Sequence, residues 1–139
     1  MSIVFRYHRL ARDDGTLIDA PYVPVWIKDR HDRMRQFLAL IDSGADSSVL
    51  PYDMADFLGL KQEEQVQNTA GIGGPVKVRK SKLALTVKNE RERYSITIPV
   101  LVAQDKEVDI PLILGRNGFF EQFHILFRQD ERKITLKKV

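Results

Sequence analysis

A mainly β, closed, barrel-like domain with one or two short helices and a glycine-tipped hairpin is the fold this sequence predicts. Three observations predict it. Apolar and polar residues alternate with a period of two over several stretches, as half-buried strands require. Turn-forming residues recur between those stretches. Only Pro51 to Gly59 and Asn117 to Phe123 read as helix, and both are short. Many strands with so little helix are expected to close on themselves. At 139 residues the chain is expected to form one domain, residues 1–139, around one core.

Taken in order, Ile3, Phe5 and Tyr7 alternate with Val4, Arg6 and His8, as in a strand. Asp13-Asp14-Gly15-Thr16 is a turn in which Gly15 can take positive φ. Val23 to Ile27 reads as a strand, and Pro24 marks it as an edge or a bend. After the polar turn Asp29 to Asp32, Met34 to Ile41 reads as a strand. In the helix Pro51 to Gly59, Asp53 is placed to cap, Met54, Phe57 and Leu58 to face inward, and Gly59 to close it. Gln65 to Thr69 and Val76 to Val87 form a long hairpin around Ala70-Gly71-Ile72-Gly73-Gly74-Pro75. Asn89 to Glu92 turns the chain into the alternating strand Tyr94 to Val102. Pro111 to Gly115 is a buried strand, and His124 to Phe127 with Lys133 to Lys137 is a closing hairpin.

Composition removes several function classes. A net charge of +3, with basic residues scattered apart from Lys137 and Lys138, is too mild for a protein whose main partner is nucleic acid. The absence of cysteine excludes disulfides, thiol catalysis and thiolate metal sites. No apolar run is long enough to cross a membrane, and charges interrupt the first residues too early for a secretory signal. A cytoplasmic location is the expectation. His8, His31 and His124 are far apart in sequence and read as surface or packing residues, so no metal site is expected.

Three segments carry chemistry. Asp42-Ser43-Gly44 puts a carboxylate on a turn, with Leu38, Leu40 and Ile41 before it and Val49 and Leu50 after it. Such a triplet alone is an ordinary Asx-type turn. Within an apolar surround, an ionised Asp is costly unless it is hydrogen-bonded or coupled to another group. In Ile110-Pro111-Leu112-Ile113-Leu114-Gly115-Arg116-Asn117, a strand ending in Gly115 can close tightly against the Asp42 loop. Arg116 then emerges beside that loop, where it pairs with Asp46, caps the following helix or reaches water. The tip Ala70 to Val76 has three glycines around one isoleucine. It reads as a flexible solvent hairpin or as a flap closing over substrate. It is not a dinucleotide fingerprint, because a strand follows it and not a helix.

Together these segments resemble the retropepsin family, the single-domain dimeric aspartic proteases of retroviruses and their cellular relatives. The resemblance rests on Leu40-Ile41-Asp42-Ser43-Gly44-Ala45-Asp46, on Gly71-Ile72-Gly73-Gly74 with Val76-Lys77-Val78-Arg79, and on Ile113-Leu114-Gly115-Arg116-Asn117. It spans roughly Val23 to Phe127, in the family's order, and implies the acid protease fold. It implies that Asp42 is catalytic, and that Ser43 and Gly44 complete the active-site loop, with the Ser43 hydroxyl bonding across a dimer axis. Leu40, Val49 and Ile113 would line side-chain pockets. Ala45, Asp46 and Ser47 would contact substrate, as would Ala70, Gly71, Ile72 and Gly73 from the flap. Gly115 and Arg116 would support the loop. Ser47, Ala70 and Pro75 depart from the viral pattern, where an acidic residue, a glycine and a bulky apolar residue are usual. The Asp53 to Gly59 helix looks more like cellular or bacterial relatives.

One chain carries one triplet, and this chemistry needs two facing carboxyls, so a homodimer acting on polypeptide is implied. Two such carboxyls share one proton: the charged member activates a water and the neutral one hydrogen-bonds the scissile carbonyl. No metal or organic cofactor is required. Two rivals belong to other classes. One is a catalytically silent dimerisation or peptide-binding module. The other is a nucleic-acid-binding barrel, which needs aromatics exposed on a basic face. Trp26 is the single tryptophan, and Phe119, Phe120 and Phe123 are spaced as core residues.

Overall fold

Alternation along the longest strands is what shapes the molecule. The computed structural model describes residues 1–71 and 74–139. Its strands are β1 (Ser2–Arg6), β2 (His8–Ala11), β3 (Leu17–Ala20), β4 (Tyr22–Lys28), β5 (Met34–Ile41) and β6 (Ser48–Leu50). After the helix α1 (Tyr52–Leu58) come β7 (Gln67–Gly71), β8 (Gly74–Lys88), β9 (Arg93–Ala103), β10 (Leu112–Leu114), β11 (Phe123–Arg128) and β12 (Lys133–Lys138).

The main sheet runs β4-β5-β10-β6-β9-β8-β7, and a further pairing of β4 with β8, Trp26 opposite Thr86, closes six of these strands into a barrel. The expected closed, mainly β architecture is therefore present. The β8–β9 ribbon is its longest ladder, in register from Val78 opposite Ala103 to Lys88 opposite Arg93. Inward-facing residues alternate along each strand: Val23, Val25 and Ile27 on β4, Leu83, Leu85 and Val87 on β8, Ile98, Val100 and Val102 on β9. Fully burying a side chain such as Leu83 contributes about 1.5–3 kcal/mol. Pro24 sits on β4, which is paired along its length with β5 but only at Trp26 on its other side. A residue without an N–H is tolerated on such a seam.

The two chain ends add a three-stranded sheet, β1-β12-β11, which contributes Ile3, Ile134, Leu136 and Phe123 to the core. The expected first strand, read through His8, ends at Arg6, and His8 opens a separate hairpin, β2–β3. Its turn is the Asp13 to Thr16 segment: Asp14 Oδ1 accepts the Thr16 amide at 2.9 Å and Gly15 has φ 85°.

Details of the two helical segments differ from expectation. Pro51, not Asp53, precedes α1, and no side chain caps it. Asp53 lies in the first turn, where its charge suits the helix dipole. Gly59 closes the helix in the left-handed region at φ 68°, as expected. Ala55 and Leu58 are buried, but Phe57 is 47% exposed, with its ring edge-on to Phe37 and under Arg35. The second segment is a wide helical turn, Arg116–Phe120, closed by the Phe120 amide on the Gly115 carbonyl at 3.4 Å. Asn117 and Gly118 have non-helical angles, and Phe123 already belongs to β11. Gly118, at φ 91°, leaves the helical region, and a Cβ there would lie 2.8 Å from Pro99 and 3.0 Å from Ile98, so glycine fits this turn.

Candidate active site

The Asp42 turn sits at the ends of two adjacent parallel strands. On β5 and β10, Ala39, Leu40 and Ile41 stand opposite Leu112, Ile113 and Leu114. The Asp42 amide extends that ladder by donating to the Leu114 carbonyl at 3.0 Å. The chain then turns. Asp42 Oδ1 accepts the Gly44 amide at 2.9 Å, and the Ala45 amide donates to the Asp42 carbonyl at 3.2 Å. This is the Asx-type turn that the triplet favours. Asp42 is half-buried, while Ser43 and Gly44 are exposed.

Gly115 locks the loop from below. A Cβ at this position would lie 2.5 Å from the Ser47 carbonyl oxygen and 2.8 Å from that of Ala45, so only glycine lets the backbones approach. The next two amides bond the loop directly: Arg116 N–H donates to the Ala45 carbonyl at 2.9 Å, and Asn117 N–H to the Asp46 carbonyl at 2.8 Å. The Arg116 guanidinium and the Asp46 carboxylate form an ion pair. Both side chains are more than half exposed in the single chain, so the pair is a surface one here.

Sequence reading missed a further support. Ser48 is fully buried, and its Oγ accepts the Gly115 amide at 3.0 Å. The only signal was a hydroxyl at an inward position of the alternating run Ser48-Val49-Leu50.

The expected pocket residues Leu40, Val49 and Ile113 come together in one row. Leu40 faces Ile113 across β5–β10, and Ile113 faces Val49 across β10–β6. The row continues to Tyr22 on β4 at one end, and through Leu101 on β9 to Lys80 on β8 at the other. None of these six is buried, whereas Ala39, Ile41, Leu112, Leu114 and Leu50 on the opposite face are. Ala45 and Ser47 are half-buried in the loop between.

The β7–β8 hairpin carries Ala70, opposite Pro75, and ends on the Gly71–Gly74 pair. The expected flap tip, Ile72 and Gly73, lies outside the described residues. His8, His31 and His124 are exposed and scattered, and no three His, Cys, Asp or Glu side chains gather as a metal site among the described residues.

No curated protein matches the chain. Among solved structures, a retropepsin-like aspartic protease from Rickettsia conorii is 17% identical with a TM-score of 0.55, covering 98% of this chain and 90% of its own. The retroviral protease-like domain of Ddi1 from Leishmania major is 15% identical with a TM-score of 0.54, covering 88% and 91%. The EIAV protease solved with the inhibitor HBY-793 is 27% identical with a TM-score of 0.45, covering 77% and 88%. The first two likenesses show a shared retropepsin-like fold. The family model described as aspartyl protease matches residues 23–117. That stretch contains the closed barrel, the Asp42 turn and the strand that locks it, and the chain belongs to the aspartyl protease family.

Proposed function

We propose that residues 1–139 form one domain that works as an aspartic endopeptidase, paired with a second copy so that two Asp42 carboxyls face each other. The observation that carries this reading is the Asp42 turn, held by Leu114, Gly115 and Ser48 at the edge of a half-exposed apolar row. That arrangement offers a fixed carboxyl next to a surface suited to an extended apolar peptide. A single turn supplies one carboxyl, and a two-fold axis is the economical way to supply another.

In this reading the paired carboxyls share one proton, because two like charges at close range cannot both ionise cheaply. The ionised member takes a proton from a water held between the two. The neutral member donates a hydrogen bond to the scissile carbonyl as the hydroxide adds to its carbon. The tetrahedral intermediate then collapses, with a proton delivered to the leaving nitrogen. Leu40, Val49 and Ile113 receive side chains flanking the cut. Ala45, Asp46 and Ser47, with Ala70, Gly71, Ile72 and Gly73 of the flap, hold the peptide backbone. Ser43 and Gly44 shape the loop, and Gly115 and Arg116 support it.

Incubation with a randomised peptide library, followed by mass spectrometry, tests the reading. Cleavage by the wild type and none by Asp42→Asn is expected. A silent peptide-binding module would retain peptides without cutting them, and that result would overturn the catalytic reading.

A further inference from the structure

At Leu101, the apolar row runs into a cleft of about 660 Å³ that borders the active-site loop at Ser47 and the Arg116–Phe120 turn at Asn117. Its floor includes Pro99 and Leu101 of β9, and its walls carry Lys61, Lys80 and Lys82 against a single carboxylate, Glu63. Lys80 is not a chance neighbour. It stands opposite Leu101, which stands opposite Val49, so it occupies the same row as the proposed side-chain pockets. Lys82 lies two residues further along β8 and therefore shares its face.

The other wall is fastened in place. The segment before β7 is laced to β8 by a bridge between Gln62 and Ser81 and by the Glu63 amide, which donates to the Lys80 carbonyl at 2.9 Å. Gln62 is held in turn by the Gln104 side chain at 2.8 Å. Among the described residues, none of the three lysines is within ion-pair distance of a carboxylate. Three cations around a concave, partly apolar surface, opposed by one anion, leave a positive potential with no internal partner. Ser47 adds no negative charge at the loop side.

We infer that Lys61, Lys80 and Lys82 form a basic outer subsite that takes an acidic side chain of the polypeptide, away from the cut bond. This deepens the peptidase reading and rests on it. Strands in a sheet lie about 4.8 Å apart, so Lys80 is roughly 14 Å along the row from Ile113; an extended peptide advances about 3.4 Å per residue, which places the acidic residue roughly three to five positions from the cut. The residues immediately flanking the cut meet the apolar row and stay apolar. Chain-terminal carboxylates and phosphorylated side chains are anions too, and the test separates them from Asp and Glu.

The experiment is library profiling with the whole protein as wild type, Lys80→Glu, Lys82→Glu and, as a control, Arg91→Glu in the exposed Asn89 to Glu92 turn. Asp or Glu at one outer position should raise kcat/KM over Gln or Asn by roughly fivefold, in the range of partly exposed ion pairs, and added salt should erode it. Lys80→Glu and Lys82→Glu should abolish or invert the preference, and Arg91→Glu should leave it intact. Amidated, unphosphorylated library members should show the effect in full. Cleavage with no charge preference at any outer position, a preference untouched by both lysine variants, or one shown only by terminal carboxylates or phosphopeptides would overturn the subsite while leaving the peptidase reading standing. If the wild type cuts nothing, fluorescence anisotropy with pools fixed as Glu or Gln at each position decides. Tighter binding of a Glu pool, lost in Lys80→Glu, would keep the subsite and reject the peptidase; no difference would reject both.

Discussion

Ser48 and Gly115, 67 residues apart in sequence, are joined by one buried hydrogen bond, Ser48 Oγ accepting the Gly115 amide at 3.0 Å. Through it, the strand that carries Val49 is fixed to the glycine that closes under the Asp42 loop. Ser48 has no exposure to water, so no solvent molecule can take over its role without opening the barrel.

Replacing Ser48 by Ala leaves the Gly115 amide without its partner. A buried unsatisfied donor costs about 1–3 kcal/mol, and urea unfolding of Ser48→Ala should show a midpoint lowered accordingly, with peptidase activity falling alongside. An unchanged midpoint would mean that the bond contributes nothing to the loop's support.

Arg116 and Asp46 form their ion pair at the surface of the chain, with 57% and 86% of their side chains exposed. Pairs of this kind contribute about 0–1 kcal/mol. Arg116→Ala should therefore change unfolding of the dilute, dissociated chain by no more than about 1 kcal/mol, while dimer content and activity fall together. A loss of about 3–5 kcal/mol in the dissociated chain is the signature of a buried pair and would contradict this assignment.

Asp29 offers a pH-dependent test that is independent of catalysis. Burial works to raise its carboxyl. The Arg33 and His31 amides, the Arg35 guanidinium bond and the Arg35 charge outweigh that and hold it down to about 2, from an ordinary 3.8. A carboxyl lowered on folding stabilises the protein fully above its unfolded value. That contribution disappears as pH falls through the folded value. The stability gap between wild type and Asp29→Asn should thus be constant near neutrality and close between about pH 4 and pH 2. A gap that stays the same across that interval would show that the carboxylate's charge is not what stabilises the turn.

Side-chain preference next to the cut should follow the apolar row. Shortening Ile113 to Val removes one methylene from a half-exposed surface, worth about 0.8 kcal/mol if fully used, or roughly fourfold in kcat/KM for a fitted apolar residue. Library profiles of the wild type should favour apolar or aromatic residues flanking the cut, and Ile113→Val should shift the favoured size upward. A strict requirement for a charged residue directly beside the cut would exclude this use of Leu40, Val49 and Ile113.

Much of this was legible from local sequence. The alternation in Val76 to Val87 and Tyr94 to Val102 reports one ribbon, because period-two patterning is a property of each strand by itself. The Asp42-Ser43-Gly44 turn and its lock at Gly115 were legible because short side chains and a missing Cβ carry their own geometry. What no local pattern encodes is register. Leu101 and Lys80 join Leu40, Ile113 and Val49 only through ladders between distant strands, so the basic end of the row appears nowhere in the motifs. Asp53 is a good capping residue in isolation, yet Pro51 sets the entry of the chain into α1 at φ −67°. Helical spacing alone predicts an inward Phe57, yet the short helix buries only the stripe that carries Ala55 and Leu58.

The central claim, one carboxyl from each of two copies, is tested most directly by mixing. Wild type and Asp42→Asn chains are combined in equal amounts, dissociated, allowed to re-pair, and assayed for peptide cleavage at fixed total protein. Random pairing makes about a quarter of the dimers fully wild type, so activity should fall to about a quarter of that of the pure wild type if both Asp42 residues are needed. Activity remaining at one half, in proportion to the wild-type chains present, would show that each chain cuts by itself and would contradict the account.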